Sequence, residues 1–416
     1  MPSLILTNGT FVTPSGLIEG SLVAEDGVIV RVDTAQRQGG VDLHGALVAP
    51  GFIDLHNDGL EGEINPRPGI GLPLDFALGN FDRRAAASGI TLALHAITFA
   101  GLEKKGRSLD VANERALAIR ALGPDGSVVE HGVLFRADVW QPDGLDALFE
   151  RAAEWTNPIV TLNDHTPGQG QYRDIGIYRS AITKWTPIDS DAEMDAYIAT
   201  KIGFAAEHPE LAEETFRRCS ERVRTHGLIL GSHDDDSPER TTFMRDLGAT
   251  IAEFPVTIEA AWRARELGMT IVAGAPNIVR GGSHSGNVSA VELVDLGLCD
   301  ILVADYHAPS LLLAVQRLAD RGVPLASAIA MVSANPARAI GRSDLGAIEG
   351  GKAATLTVVS VPRFGPWQVR MVIRNGEVRA TFESGAAGTT VSPRTPSAQR
   401  ATPLATAWQR GASSLG

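Results

Sequence analysis

The stretch APGFIDLHND, residues 49–58, places a short apolar run directly before a cluster of polar side chains. Seven similar apolar runs follow it, separated by segments of helical character. The eight runs are residues 51–56, 90–98, 132–139, 159–163, 228–232, 250–254, 270–273 and 301–304. Strands that alternate with helices are typical of βαβ units and a parallel sheet. Eight of them predict an α/β fold with a (β/α)8 TIM-like barrel, and a doubly wound open sheet is the alternative.

Both ends of the chain have a different, β-rich texture. Strand-like runs cover residues 4–6, 11–12, 21–23 and 28–32, and again 354–359, 369–373 and 377–382. Asn8-Gly9, Asp26-Gly27 and Asn375-Gly376 are turn signals between them. We therefore expect a small β-sandwich domain formed by residues 1–50 and 346–385, and the barrel over 51–345. Residues 386–416 have low hydrophobicity, which predicts a loosely ordered tail.

Composition restricts the partners and the type of metal site. The 416 residues include 37 Lys and Arg against 49 Asp and Glu, a net charge of −12, which argues against nucleic acid or an anionic membrane as the main partner. Cys219 and Cys299 are too few for a disulfide framework or a thiolate zinc site. A metal must therefore be held by His and carboxylates. With no long apolar run and no signal-peptide pattern, we expect a cytoplasmic protein.

Potential metal ligands follow several of the predicted strands, where a barrel of this kind carries its functional side chains. His56 and Asp58 are two residues apart on a strand, so both side chains face the same side. The predicted ligands are His56, Asp58, His165, His233 and Asp305. Five nitrogen and oxygen ligands suffice for two divalent ions, Zn or Fe/Mn, that share a water. A single His at a strand end is more often structural, but the recurrence at several strand ends favours a metal centre.

Two carboxylates are the candidates for proton transfer. Asp305 could both bind a metal and accept a proton from the attacking water. Asp235 is the second candidate, although its position before Ser-Pro-Glu also suits the start of a helix.

A Gly-rich segment over residues 277–287 predicts an anion site. Its backbone N–H groups and polar side chains could hold a phosphate. The predicted phosphate-binding residues are Arg280, Gly281, Gly282, His284, Ser285 and Asn287, with Arg67 as a second clamp. The alternative is a flexible loop at Gly281-Gly282 and a rigid turn around Arg67. Beside a metal centre, these signals indicate a phosphorylated small-molecule substrate.

The chain resembles the amidohydrolase superfamily in residues 49–56, 335–338 and 346–354. Within that superfamily it is similar to the PhnM family of phosphonate catabolism. The matching stretches are residues 54–58 with Leu60-Glu61, 66–69, 164–169, 233–239, 253–257, 274–287 and 305–306. They run in order through nearly the whole predicted barrel.

The resemblance implies release of pyrophosphate from alpha-D-ribose 1-methylphosphonate 5-triphosphate, ahead of C–P bond cleavage. It also implies an association with proteins of the C–P lyase pathway, and a homodimer is a further expectation. The sequence departs from the superfamily at Asp58, where a second His is usual, and at 163–165, where a carbamylated Lys is usual. Glu61, Asp164 and Glu253 are therefore additional candidates for metal ligands or for residues that support them.

Two other functions are open at this point. An amidohydrolase or deaminase of the same superfamily would share the metals but need no polyphosphate clamp. A scaffold subunit with a decayed site would bind no metal. Arg67, Arg280 and His284 separate the first two hypotheses, because only a phosphate-cleaving enzyme needs them in the metal cavity.

Overall fold

The structure is a computed structural model that describes residues 3–35, 37–67, 69–101, 108–123, 126–183, 188, 190–283 and 286–382. The tail predicted for residues 386–416 lies outside these ranges, as do residues 383–385 of the predicted small domain. Over the described ranges, none of the helices combines the length and the apolar character needed to cross a membrane.

Eight parallel strands follow one another in chain order and form the barrel. They are β6 (Phe52–Asn57), β7 (Ile90–Thr98), β8 (Glu130–Asp138), β9 (Ile159–Asn163), β10 (Ile229–His233), β11 (Ala249–Glu253), β12 (Thr270–Gly274) and β13 (Ile301–Val303). All eight predicted strands are present, and their ends agree with the prediction to within two residues. The barrel prediction is confirmed, and the open sheet is wrong because the first and last strands meet.

Hydrogen bonds between β6 and the end of β13 close the barrel. The N–H of Asp305 donates to the carbonyl of His56 at 2.9 Å, and the N–H of Asp58 donates to the carbonyl of Asp305 at 2.8 Å. The fully buried Asp54 accepts from the N–H of Ala304 at 2.9 Å. Burial raises the pKa of Asp54 to about 7, although its hydrogen bonds lower it. Closure therefore brings the polar ends of the first and eighth strands together.

Fourteen helices occur in the described residues, most of them between the barrel strands. They are α1 (Gly59–Ile64), α2 (Leu74–Ala87), α3 (Leu109–Leu122), α4 (Leu145–Ala152), α5 (Ile175–Ile182), α6 (Asp191–Glu207), α7 (Pro209–His226), α8 (Pro238–Asp246), α9 (Ile258–Glu266), α10 (Ala275–Arg280), α11 (Ala290–Asp295), α12 (Ser310–Asp320), α13 (Leu325–Ala330) and α14 (Ala334–Ala339). Several begin at a Ser or Thr whose hydroxyl accepts a backbone N–H of the first turn, as Ser108, Ser237 and Thr257 do.

A second sheet contains strands from both ends of the chain. Its strands are β1 (Leu4–Thr13), β2 (Gly16–Glu25), β3 (Val28–Asp33), β4 (Val41–Asp42), β5 (Leu47–Pro50), β14 (Leu356–Ser360), β15 (Gln368–Arg374) and β16 (Glu377–Thr381). The order is β16-β15-β14-β5-β1-β2-β3, with β4 beside β1. The antiparallel pair of β14 with β5 joins the two ends. A separate sheet built from both termini is thus confirmed, while the exact domain boundaries stay a prediction.

The three dipeptide turn signals have two different outcomes. Asp26-Gly27 and Asn375-Gly376 connect antiparallel strands, and all four residues have positive φ. The turn expected at Asn8-Gly9 is wrong, because β1 runs through it as one strand. Asn8 has φ 53°, and the register with β2 shifts between Leu6 and Gly9. The left-handed backbone that Asn-Gly favours therefore forms a bulge here rather than a hairpin.

Asp82 of α2 connects the helix layer to the segment that begins β8. Its carboxylate accepts from the N–H groups of Val128 at 3.0 Å and Val129 at 2.8 Å, and lies 3.1 Å from His131 Nε2. We expect Asp82→Ala to lower the free energy of unfolding by about 3 kcal/mol, because it leaves these donors without an acceptor. Urea unfolding measures this, with the exposed Asp320→Ala as the control that should change little.

The Asp82 contribution should depend on pH. Burial raises the pKa of this carboxyl, but the hydrogen bonds from His131 and the two N–H groups outweigh it, so the pKa is lowered. A carboxylate whose pKa is lower in the folded state stabilises the fold at pH values above its unfolded-state pKa of about 3.9. This stabilisation is lost as the pH falls below that value toward the folded-state pKa. The difference between wild type and Asp82→Ala should therefore be full at pH 7 and smaller at pH 3. An equal difference at both values would contradict this role.

Candidate metal centre

Seven of the predicted site residues meet at one cavity of about 260 Å³ at the C-terminal end of the barrel strands. Of the predicted residues, His56, Asp58, His233, Arg280, Gly282, Asn287 and Asp305 line it. Barrel closure explains this, because β6 and β13 carry their polar ends to the same edge.

His56 is 1 % exposed and lies between two carboxylates. Its Nδ1 is 3.2 Å from Glu253 Oε2, and its Nε2 is 3.8 Å from Asp58 Oδ2. Burial lowers the pKa of His56, but Glu253 and Asp58 outweigh it and raise the pKa to about 10. The surroundings of this ring therefore favour positive charge, which a proton or a metal ion can supply.

Two groups of potential ligands share His56. One contains His56, His233 and Glu253, and the other contains His56, Asp58 and Asp305; in each group the ligand atoms lie within 4.8 Å of one another. A carboxylate on Nδ1 is the usual arrangement for a metal-bound His, since it orients the ring and leaves Nε2 for the ion. Glu253 has this position, so the group with Asp58 and Asp305 fits a divalent ion better. Imidazole and carboxylate donors suit Zn²⁺, Fe²⁺ or Mn²⁺.

His233, at the end of β10, has a carboxylate of its own. Its Nδ1 is 2.8 Å from Asp234 Oδ2. Asp234 has φ 58°, and its N–H donates to the carbonyl of Glu253 at 2.9 Å. Burial raises the pKa of Asp234, but His233 outweighs it and the pKa is lowered. His233 thus also has a carboxylate near Nδ1, but this close contact lacks the hydrogen-bond geometry that joins His56 to Glu253.

Three predicted or candidate ligands lie away from these groups. His165 is half-buried, with its ring centroid 6.3 Å from that of His233. Asp164 accepts from Trp140 Nε1 at 3.0 Å and from Thr166 Oγ1 at 2.7 Å, so it fixes the loop after β9. Glu61 lies 3.9 Å from Arg115 Nη1, and both line a separate small pocket.

The two predicted catalytic carboxylates differ in position. Asp305 lines the cavity with φ 55°, and burial, with Asp58 as the next cause, raises its pKa to about 6. Asp235 is 2 % exposed, lies 3.9 Å from Arg240 Nε and is not among the residues that line the cavity. Burial raises the pKa of Asp235 to about 6 as well.

The Gly-rich segment contributes Arg280, Gly282 and Asn287 to the lining of the cavity. Arg280, the last residue of α10, is exposed at the cavity. The N–H groups of Gly281 and Gly282 both donate to the carbonyl of Asn277 at 3.1 Å, so they cap the helix. His284 and Ser285 lie outside the described residues. Arg67 is exposed, forms a turn with Ile70 and is not among the residues that line the cavity.

Several residues that the sequence analysis did not select also line the cavity. They are Arg136, Gln171, Asp234, Phe254 and Tyr306, among others. The ring of Phe254 packs edge-on against His56 at 5.1 Å and against His233 at 5.4 Å. Arg136 donates from Nη1 to Asp58 Oδ1 at 3.3 Å. A charged residue directly after the apolar run 133–135 of β8 was a signal that could have identified Arg136.

Comparison with known proteins agrees with this arrangement. The sequence model of the amidohydrolase family matches residues 47–385. The alpha-D-ribose 1-methylphosphonate 5-triphosphate diphosphatase of Escherichia coli (strain K12) is 35% identical over 363 residues, which cover 85% of this chain and 94% of that protein.

Solved structures show the same fold at low identity. The D-hydantoinase (dihydropyrimidinase) from Thermus sp. has a TM-score of 0.60 at 14% identity, covering 92% of this chain and 97% of that one. N-acetylglucosamine-6-phosphate deacetylase from Thermotoga maritima has a TM-score of 0.53 at 14% identity, covering 91% and 100%. With the family match over most of its length and a barrel that ends in His and carboxylate side chains, the chain belongs to the amidohydrolase family.

Proposed function

We propose that this hydrolase cleaves a phosphoanhydride and releases pyrophosphate from alpha-D-ribose 1-methylphosphonate 5-triphosphate. The observation that carries the proposal is that one cavity contains two kinds of group. The potential metal ligands His56, Asp58 and Asp305 line it, and so does the cationic side chain of Arg280 at its mouth. The Escherichia coli relative bears the name of this activity. The product would keep a 5-phosphate and the C–P bond, which suits an association with C–P lyase proteins.

In this proposal, some residues of the chain would hold the metal ions and others would orient the metal-binding imidazoles. When bound, divalent ions supply Lewis acidity to phosphoryl oxygens and lower the pKa of water. His56, Asp58 and Asp305 would hold one ion, and His233 with His165 would hold a second. Glu253 and Asp234 would orient the two buried imidazoles from their Nδ1 sides. Metal analysis of the purified protein should give two ions per chain, and a constant single ion would contradict the second site.

Asp305 would accept the proton of the attacking water. It lines the cavity beside Asp58 and the His56 ring, whereas Asp235 does not line the cavity, which favours Asp305 for this role. Its backbone is fixed by two hydrogen bonds to β6 and the residue after it, so the carboxylate has a defined position.

Arg280 would hold the distal part of the triphosphate at the mouth of the cavity. We expect Arg280→Ala to raise KM for a triphosphate substrate by about 10- to 100-fold with a smaller effect on kcat, because a charge-assisted hydrogen bond is lost in ground state and transition state alike. Steady-state kinetics measure this, with the exposed Arg83→Ala of α2 as the control. An unchanged KM in Arg280→Ala would count against the clamp.

The test of the function is a substrate panel with metal-analysed protein. Ribosyl 5-triphosphates, N-acyl amino acids, cyclic amides and aminopurines are each incubated, and pyrophosphate, phosphate, amine and ammonia are measured. We expect pyrophosphate release from the triphosphates alone. Turnover of amides or amines without pyrophosphate release would establish the alternative, an amidohydrolase or deaminase that cleaves a C–N bond.

A further inference from the structure

Arg136 presents a buried guanidinium to the floor of the cavity. It lies on β8, and its side chain is 9 % exposed. Nη1 donates to Asp58 Oδ1 at 3.3 Å. Nε is buried and has no hydrogen-bond partner within the part of the chain that the structure describes. A guanidinium carries five N–H donors, and buried donors rarely stay without acceptors in native proteins.

Arg342 is an arginine of the same chain whose three nitrogens all donate hydrogen bonds to carboxylates. Its Nε and Nη2 donate to the two oxygens of Asp344 at 2.9 Å each, and its Nη1 donates to Glu130 at 2.6 Å. All three nitrogens of Arg342 therefore have carboxylate partners. Arg136 is more deeply buried than Arg342 and yet has one such contact at a longer distance. Among the described residues, Arg136 thus has fewer carboxylate partners than Arg342, and its Nε has no hydrogen-bond partner.

Arg136 lies next to the potential metal ligands, because it contacts Asp58. Asp58 lies between Arg136 and His56, with Oδ1 toward the guanidinium and Oδ2 toward the imidazole ring. A buried cation next to groups that bind a divalent ion is electrostatically unfavourable unless an anion joins it. An oxyanion at this point would satisfy the free donors and balance the charge. A neutral amide could accept from these donors through its carbonyl oxygen, but it would not balance the charge.

We propose that Arg136 binds the phosphoryl group that reacts, as a specificity-determining residue at the floor of the cavity. This inference rests on the proposed function, since it assigns a binding residue to the reacting phosphoryl group of the same substrate. The planar guanidinium suits two oxygens of one phosphoryl group. Arg280 at the mouth and Arg136 at the floor would then contact opposite ends of a polyphosphate.

The test measures, by isothermal titration calorimetry, how tightly inorganic triphosphate binds to the metal-loaded full-length protein. We compare wild type, Arg136→Gln, Arg136→Lys and the exposed control Arg317→Gln. Arg136→Gln should weaken triphosphate binding by about 10- to 100-fold, the usual effect of losing a charged hydrogen bond. Arg136→Lys keeps the positive charge but loses the planar pair of N–H donors, so its loss of triphosphate affinity should be smaller than that of Arg136→Gln. Metal content and thermal unfolding should match wild type.

Each other result has a defined meaning. Triphosphate affinity within threefold of wild type in both variants would overturn the inference. Loss of the metal in both variants would show that Arg136 positions Asp58 instead, and would overturn it too. If Arg136→Gln does not fold, Arg136→Lys alone decides between these outcomes. Failure of wild type to bind triphosphate would instead contradict the proposed function, and with it the substrate that this inference assigns.

Discussion

Asp305→Asn is expected to lower kcat by about 10³-fold at saturating metal, within the usual range for the loss of a general base. The amide has the size of the carboxylate but cannot accept the proton of the attacking water. Asp305 has φ 55°, a conformation that Asn also tolerates. The fold should therefore survive, because the two backbone hydrogen bonds that close the barrel do not involve the side chain.

The Asp305 variant needs a metal-matched comparison, since an amide is a poorer ligand than a carboxylate. Metal content is measured before each assay, and kcat is recorded over a range of metal concentrations. Asp295→Asn, on the exposed end of α11, is the control and should keep wild-type kcat. A kcat within threefold of wild type in Asp305→Asn would rule out Asp305 as the proton acceptor.

His56→Ala is expected to abolish metal binding at the first ion site and to lower kcat/KM by at least about 10³-fold. The ring offers Nε2 to the cavity between Asp58 and Asp305, and its removal leaves the buried Glu253 without its partner. Truncation of one member of a buried charged pair is strongly destabilising, at about 3–5 kcal/mol. Metal analysis and thermal unfolding should therefore both change.

Glu253→Gln separates the ligand from the residue that orients it. Gln can still accept from His56 Nδ1, so the ring keeps its position while the charge is lost. We expect metal affinity to fall by about 10- to 100-fold, with activity restored at high metal concentration. His56→Ala should not be restored in this way. Equal behaviour of the two variants would contradict the distinction between His56 as ligand and Glu253 as support.

The barrel and the first ligand pair could be predicted from sequence because both follow from local patterns. The eight apolar runs recur at a spacing that suits βαβ units, and strand alternation predicts that His56 and Asp58 face one side. Both line the cavity, but Asp58 follows the end of β6 as the N-cap residue of α1, so its approach to His56 does not come from strand alternation. The approach of Asp305 to them follows from closure of the barrel alone.

The residues that were missed or displaced depend on loop conformation and tertiary pairing. Asp234 reaches His233 through a left-handed backbone that nothing in its sequence context marks. Asp164 is the residue beside His165, but Trp140 and Thr166 occupy its carboxylate. The N–H groups of Gly281 and Gly282 cap α10, which a Gly-rich composition cannot distinguish from an anion cradle. Arg136 follows an apolar run in the sequence, but its place in the lining of the cavity depends on the tertiary structure.

The most direct measurement is ³¹P NMR of the metal-loaded protein with alpha-D-ribose 1-methylphosphonate 5-triphosphate. Hydrolysis between the α and β phosphorus atoms should replace the three triphosphate resonances with those of pyrophosphate and a 5-monophosphate in equal amounts, while the phosphonate resonance persists. The same sample treated with a chelator should show no change until metal is restored. Unchanged triphosphate resonances in the metal-loaded sample, or orthophosphate as the first product, would contradict the proposed diphosphatase activity.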